Sequence, residues 1–400
     1  MGQFRKWRGP LAAACGWLIS GSLHADTPAQ DLDDLLALVT DAVRPIVVEH
    51  RVPGMAIGLI VDGEHYFFNF GVASEDARTP VTEHTLFEIG SVSKTFTATL
   101  AAYAQEKGVL AMEQPVTEYL TALQGSALDD VSVLNLATHT AGHFPLQVPE
   151  KVNSEKQLFD YFRQWQPQYR PGSKRTYANP GSGLLGVVSA DSLGQSFSEV
   201  MEQTLFRGLG LSETYLRVPT ERMSDYAEGH NSKHQAVRLN NGLLGNEAYG
   251  VKSTSADLIR YLATQMQLVK TPETFERALQ ATRRGYFKTD YYVQDMVWEQ
   301  YALPVEKKRL LAGNSRSMII GDHPVTAIDP PLDPQQDVLI NKTGSTGGFS
   351  TYVAFIPGEQ FGFVLLANKY FPNEPRIEAL YHMLETLLPR TARETAVTAD

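Results

Sequence analysis

The chain has 400 residues, enough for one large or two moderate domains, and its 43% apolar and 20% charged residues are those of a packed globular protein, not a disordered one. Its 45 acidic against 35 basic residues give a net charge of −10 without any basic cluster, which disfavours nucleic-acid binding. Cys15 is the only cysteine.

The first stretch differs from the rest. Arg5, Lys6 and Arg8 precede an apolar run over 11–19, and small and polar residues lead to Ala25 before Asp26. This is the pattern of a secretory signal peptide cut after Ala25. A permanent membrane anchor needs roughly 20 apolar residues, more than this run provides. A lipoprotein cysteine at Cys15 is disfavoured, because apolar residues continue past it and too few precede it. Removal of 1–25 leaves 32 basic against 45 acidic residues and no cysteine, hence neither disulfides nor thiol catalysis. A Gram-negative periplasmic enzyme, with no permanent anchor, is the expectation.

A helix is expected over 32–49. Pro53-Gly54 then opens an apolar run over 55–61, followed by Asp62-Gly63 and a second run over 66–70, which together read as a β-hairpin. Next come Gly90-Ser91-Val92-Ser93-Lys94 and an apolar run over 95–104 that ends near Lys107-Gly108. Read as a helix entered at Gly90, this spacing places Ser91 Oγ and Lys94 Nζ on one face, one turn apart, where hydroxyl and amine can share a proton. The first-turn position also favours the negative charge that an activated serine develops. An ordinary N-cap on a buried helix is the alternative, and Ser-x-x-Lys by itself does not decide between them.

The middle of the chain reads as mostly helical, with helices over 131–137, 155–165, 183–193 and 196–205 separated by Pro-Gly and Gly-rich joints. His139 and His143 lack an evident third ligand and have Gly142 between them. They are read as solvated or hydrogen-bonded histidines, not as metal ligands. A helix over 256–268 follows, then strands over 338–343, 350–356 and 361–367, and a closing amphipathic helix over 374–388. The simplest arrangement is α/β plus all-α: a sheet flanked by helices, built from both ends of the sequence, with a helical block inserted. Residues 26–107 and 231–400 are assigned to a discontinuous sheet domain and 108–230 to a mainly helical one.

Two further motifs change the weight of Ser91. Tyr177-Ala178-Asn179 lies in a polar loop between Pro171-Gly172 and Pro180-Gly181, where phenol and amide can face one cleft. Lys342-Thr343-Gly344, followed by Ser345-Thr346-Gly347-Gly348, ends an apolar strand, where small residues let a ligand approach the backbone. In this order, Ser-x-x-Lys, Tyr-x-Asn and Lys-Thr-Gly resemble the penicillin-recognising serine enzymes, and Tyr-Ala-Asn makes the chain similar to a class C β-lactamase. The resemblance extends to Leu136-Ala137-Thr138-His139-Thr140-Ala141-Gly142, Glu247-Ala248-Tyr249-Gly250-Val251-Lys252 and Leu366-Ala367-Asn368-Lys369.

The resemblance implies an antiparallel sheet flanked by helices and a monomeric, cofactor-free and metal-free hydrolase of cephalosporins and penicillins. Ser91 becomes the nucleophile. Lys94 or Tyr177 becomes the base, with the phenol expected to ionise more readily between the ammonium groups of Lys94 and Lys342. The backbone N–H groups of Ser91 and Ser345 form the oxyanion hole. Lys342 with Thr343 and Gly344, together with Asn373 and Arg376, receives the substrate carboxylate, while Gln147 and Asn179 bind the side-chain amide and Tyr249 forms an aromatic wall. For Arg376 a surface ion pair, and for Tyr249 a place in the core, are the alternatives. The chain departs from the commonest pattern at Ser345, Tyr370 and His139, where alanine, asparagine and tyrosine are frequent. A D-alanyl-D-alanine peptidase or esterase on the same scaffold, or a penicillin-acylated sensor without turnover, are the competing functions.

Overall fold

The computed structural model describes residues 19–22 and 29–393. The signal peptide expected over 1–25 lies outside the described residues except for β1 (Ile19–Ser22), which runs antiparallel to the edge of the main sheet. Helix α1 (Ala29–His50) follows. The expected hairpin forms from β2 (Gly54–Val61) and β3 (Glu64–Ser74). Asp62 and Gly63 at its tip have φ of 51° and 83°. A two-residue turn matched to the twist of its strands requires this left-handed pair.

The C-terminal part supplies the rest of the sheet. β4 (Gly285–Lys288), β5 (Val293–Gln294), β6 (Glu299–Ala302) and β7 (Thr326–Leu332) were not anticipated from sequence. They are short or carry charged residues and prolines, so no period-2 apolar pattern announces them. β8 (Val338–Ser345), β9 (Ser350–Ile356) and β10 (Phe361–Ala367) match expectation. The path β1-β3-β2-β10-β9-β8-β6-β5-β4-β7 is antiparallel throughout. β10 pairs with β2, so strands from the two ends of the chain meet at the sheet's centre.

Alternation along these strands separates two cores. Met55, Ile57 and Leu59 of β2, with Tyr352, Ala354 and Ile356 of β9, pack against α1 and the C-terminal helix. Ala56, Ile60, Val353 and Phe355 point the other way. Both faces are covered, which explains why the central strands read as continuous apolar runs.

Helix α2 (Ser93–Glu106) lies between this second core and a third one. Its Phe96 and Leu100 belong to the sheet-side core, while Ala98, Ala101 and Ala102 face helical segments that carry Val133, Leu136, Leu184 and Leu185. The third core also draws on Phe287, Met296 and Val297. An apolar, small-residue helix without a polar stripe has to be buried on all sides, and nearly every residue of α2 is. Helices α3 (Asn179–Ser192), α4 (Ser255–Gln265) and α5 (Glu374–Leu387) complete the layers used below. Among the described residues no helix is long and apolar enough to cross a membrane.

The approach of α4 to the sheet depends on Gly58. A Cβ there would lie 2.5 Å from Ile259 Cγ1. Gly58→Val should therefore push α4 off β2 and destabilise the fold by about 1–3 kcal/mol. Thermal or urea unfolding tests this, and an unchanged midpoint would show that the helix yields freely.

Candidate active site

Ser91 stands on a single 3-10 turn, Gly90–Val92, and α2 begins only at Ser93. The expected helix start at Gly90 is thus one turn early, for a steric reason. Gly90 has φ of +52°, outside the helical region, and a Cβ on it would lie 2.5 Å from both the N and O of Ser345. On the opposite side a Cβ at Gly344 would meet Ile89 O at 2.1 Å. Two glycines therefore let the serine turn press its backbone onto the end of β8. Thr351 Oγ1 donates to Glu88 O at 3.3 Å, and Ser93 Oγ accepts from Val251 N at 3.0 Å, fixing both flanks of the turn.

Lys94 is fully buried beneath Ser91, and its Nζ donates to Ser91 Oγ at 3.1 Å and to Ala248 O at 2.8 Å. Burial, reinforced by the charge of Lys342, holds its pKa well below that of an ordinary lysine. Lys342, also buried, is lowered for the same first reason, and its Nζ donates to Thr343 O at 3.0 Å. The Tyr177 ring lies between them, with Lys94 Nζ 4.9 Å and Lys342 Nζ 5.2 Å from its centroid.

The flanking cations do not acidify this phenol. Burial pushes Tyr177 up from its ordinary value, and the weaker pull of the neighbouring Ser91 hydroxyl and Arg175 does not prevail. Its hydroxyl neighbours Ser91 without a well-aligned hydrogen bond among the described residues. The expectation of an easily ionised Tyr177 is corrected accordingly: desolvation outweighs charge here, and Lys94 is the group that gives up a proton more readily.

His139 is corrected as well. It is neither solvated nor hydrogen-bonded: the ring is buried, neither nitrogen finds a partner among the described residues, and burial lowers its pKa well below normal. The neutral imidazole packs on the Tyr177 ring, centroids 4.5 Å apart. His143, by contrast, contacts Asp322 Oδ1 at 2.8 Å.

Above these groups opens a cavity of about 430 Å3. Ser91, Tyr177 and Lys342 reach its floor, and Thr343, Gly344 and Ser345 form one wall. Gln147, Asn179 and Tyr249 line the other side, and Asn373 stands at the rim, its Nδ2 donating to Asn314 O at 3.0 Å. Tyr249 is thus a wall residue and not core. Asn179 is held in place by its backbone N–H, which donates to Leu146 O at 3.0 Å, and its buried Oδ1 is unpartnered among the described residues.

Arg376 does not line the cavity, and its expected contact with substrate is corrected. The side chain is fully buried. Nη1 donates to Gly344 O at 2.7 Å and Thr351 O at 3.0 Å; Nη2 donates to Ser345 Oγ and Ser350 Oγ, each at 2.9 Å, and to Phe371 O. A guanidinium so committed ties strand ends together. It also explains the serine at 345, whose hydroxyl accepts from it.

Sequence reasoning missed Arg175 and Glu299, both of which line the cavity. Arg175 Nη2 meets Glu299 Oε1 at 3.2 Å, its Nε donates to Gln294 Oε1 at 2.7 Å, and its guanidinium lies 5.6 Å from the Tyr177 centroid. The signal available was an arginine two residues before Tyr177; Glu299 sits on the unanticipated β6. Also missed was Glu88, a buried carboxylate that accepts from Tyr226 Oη at 2.6 Å, Leu239 N at 2.7 Å and Thr346 Oγ1. It secures the segment after β8 from the strand that leads to Ser91.

The β-lactamase family model matches residues 39–388. This chain belongs to the β-lactamase family. It is 43% identical to a β-lactamase of Pseudomonas fluorescens over 88% of this chain and 99% of that protein. A solved structure from Pseudomonas syringae, described as a β-lactamase/D-alanine carboxypeptidase, superposes with a TM-score of 0.87 at 47% identity, covering 88% of this chain and 99% of that one. A class C β-lactamase in complex with cefoxitin gives 0.87 at 44%, covering 89% and 99%. The β-lactamase here is accordingly a hydrolase of the class C type, with the large antiparallel sheet of those neighbours.

The contact between the serine turn and β8 is the most exacting feature of this β-lactamase site. Gly344→Ala should displace Ser91 from Ser345, since the atom in the way is backbone. Hydrolysis of a chromogenic cephalosporin should fall by ~100-fold or more. Near-normal kcat/KM in this variant would show that the close contact is dispensable.

Proposed function

We propose that this enzyme hydrolyses the β-lactam amide of cephalosporins and penicillins through a Ser91 acyl-enzyme, in the periplasm after cleavage behind Ala25. The observation that carries the reading is the 3.1 Å contact of Ser91 Oγ with a buried, readily deprotonated Lys94, on a turn pressed against Ser345. Neutral Lys94 keeps one N–H on Ala248 O and offers its lone pair to the Ser91 hydroxyl. Ser91 Oγ then attacks the carbonyl carbon as its proton passes to Lys94, a transfer typically worth about 10² to 10⁴ in rate. The developing oxyanion accepts from the N–H groups of Ser91 and Ser345, each donor being worth roughly 3 to 4 kcal/mol.

As the carbon–nitrogen bond breaks, the ring nitrogen needs a proton. A phenol that stays neutral is a donor, and Tyr177 stands between Lys94 and Lys342 to supply it and be reprotonated. In the second half-reaction a water attacks the ester, with Tyr177 and Lys94 acting as one proton-accepting unit. Lys342 and Thr343, with Asn373 at the rim, supply donors for a substrate carboxylate, while Gln147 and Asn179 suit the side-chain amide. Arg175 adds positive field without free charge, since Glu299 pairs with it.

The second reading, a D-alanyl-D-alanine carboxypeptidase, is favoured by the description of the Pseudomonas syringae relative. The two differ in how fast the acyl-enzyme is released. Steady hydrolysis of a chromogenic cephalosporin over many turnovers, with a transient Ser91 adduct by mass spectrometry, supports the lactamase. A single stoichiometric burst with a long-lived adduct supports the peptidase.

The assignment of the base also predicts a pH profile. Lys94 is competent only when neutral, so kcat/KM should fall as pH drops through its folded-state pKa, which lies well below the ordinary lysine value. Ser91→Ala should abolish penicillin labelling, and Lys94→Met should remove the acid limb and cost ~10²-fold or more. An acid limb that survives in Lys94→Met and vanishes in Tyr177→Phe would transfer the base role to Tyr177.

A further inference from the structure

Away from the cavity, three side chains from distant parts of the chain converge without any part in the chemistry above. His230 lies on the short strand Gly229–His230, His234 on the turn after it, and Glu75 directly after β3. His230 Nε2 is 3.2 Å and His234 Nε2 3.0 Å from the same oxygen, Glu75 Oε2. One ligand atom from each lies within 4.8 Å of the others. The two imidazoles stack at 4.8 Å.

The surroundings of His230 make this more than a surface ion pair. The residue is buried, and its Nδ1 faces Asn368 O at 3.3 Å. A carbonyl oxygen can only accept, so in the tautomer that uses this contact Nδ1 carries the proton. Nε2 then presents its lone pair to a carboxylate, another acceptor, and a bridging cation satisfies both. A carbonyl behind Nδ1 is also the partner that orients a metal-ligating histidine.

We propose that Glu75, His230 and His234 bind a zinc ion, with solvent completing the coordination. Zinc–nitrogen and zinc–oxygen bonds of ~2.0–2.2 Å in tetrahedral geometry separate neighbouring donors by about 3.3–3.5 Å, close to the two histidine–carboxylate spacings found here. Two imidazoles and one carboxylate match the preference of zinc over hard, oxygen-seeking cations. Lys369 is the competing charge: its Nζ lies 3.1 Å from His234 Nδ1. Zinc entry turns that ammonium away and moves the His234 proton from Nε2 to Nδ1, a tautomer change that keeps the ring neutral.

The role is structural. The His230 backbone N–H donates to Gly348 O at 3.1 Å and Asn368 O at 3.0 Å, and its O accepts from Tyr370 N at 2.9 Å. Gly348 continues the Thr346-Gly347 rim of the cavity. A zinc ion on these ligands clamps the segment around 229–237 to the turn after β3, beside that rim.

The test is calorimetric titration of zinc into the untagged full chain, with cobalt as a visible-absorption probe of tetrahedral coordination. Glu75 and His234 are partly exposed, so Glu75→Gln and His234→Gln should fold normally, which unchanged unfolding midpoints without metal would verify. The expectation is one equivalent bound, a higher unfolding temperature with zinc, and affinity weakened by ~100-fold or more in both variants. No uptake would overturn the proposal. Binding undiminished in both variants would overturn it too, placing the metal elsewhere, for example at His84 with Glu213.

Discussion

The site depends on one backbone contact, that between the turn carrying Ser91 and the end of strand β8. Both partners are glycine at the point of closest approach, and the obstructing atoms on either side are backbone atoms that cannot rotate away. Because α2 is buried between two cores, the turn at its start has little freedom to move along the sheet. The amides of Ser91 and Ser345 therefore keep their spacing without a ligand. Pre-organisation of this kind lets oxyanion donors act with no cost of reorganisation during the reaction.

Beneath that contact the protein buries more positive charge than it neutralises. Lys94, Lys342 and Arg175 surround the Tyr177 ring, and Glu299, paired with Arg175, is the carboxylate among them. Burial strips both ammonium groups of hydration, and the charge of Lys342 adds to this at Lys94 and that of Arg175 at Lys342, so both become weaker acceptors of a proton than ordinary lysines. The neutral His139 imidazole, packed on the same ring, adds no further charge. A lysine so weakened suits the proposed role of taking the Ser91 proton for a moment and passing it on.

Two buried charged side chains hold this arrangement from outside the cavity. Glu88 fastens the segment after β8 through Thr346, and Arg376 gathers the carbonyls and hydroxyls at the ends of β8 and β9. Glu88 accepts through both carboxylate oxygens and Arg376 donates through both terminal nitrogens, and such partners are what a buried charge requires. Neither lines the cavity, and both bear on the position of the segment around Ser345.

Sequence by itself determined the central architecture and several of the residues that line the cavity. The runs over 55–61, 350–356 and 361–367 read as strands, and the run behind Ser91 read as a helix. Ser91, Lys94, Tyr177 and Lys342 were legible because each stands in a short motif with its chemistry written into neighbouring residues. Tertiary structure decided what depends on environment. β4 to β7 form without an apolar period because neighbouring strands recruit them. Glu88, Arg175 and Glu299 gain their places from residues far away in the chain. Arg376 looked like a substrate ligand until its acceptors were in view, and Tyr177 looked like an acidified phenol until its burial was. A residue's type fixes which charges and hydrogen bonds it is able to offer; its desolvation and its partners, set only in the fold, fix which of them it does.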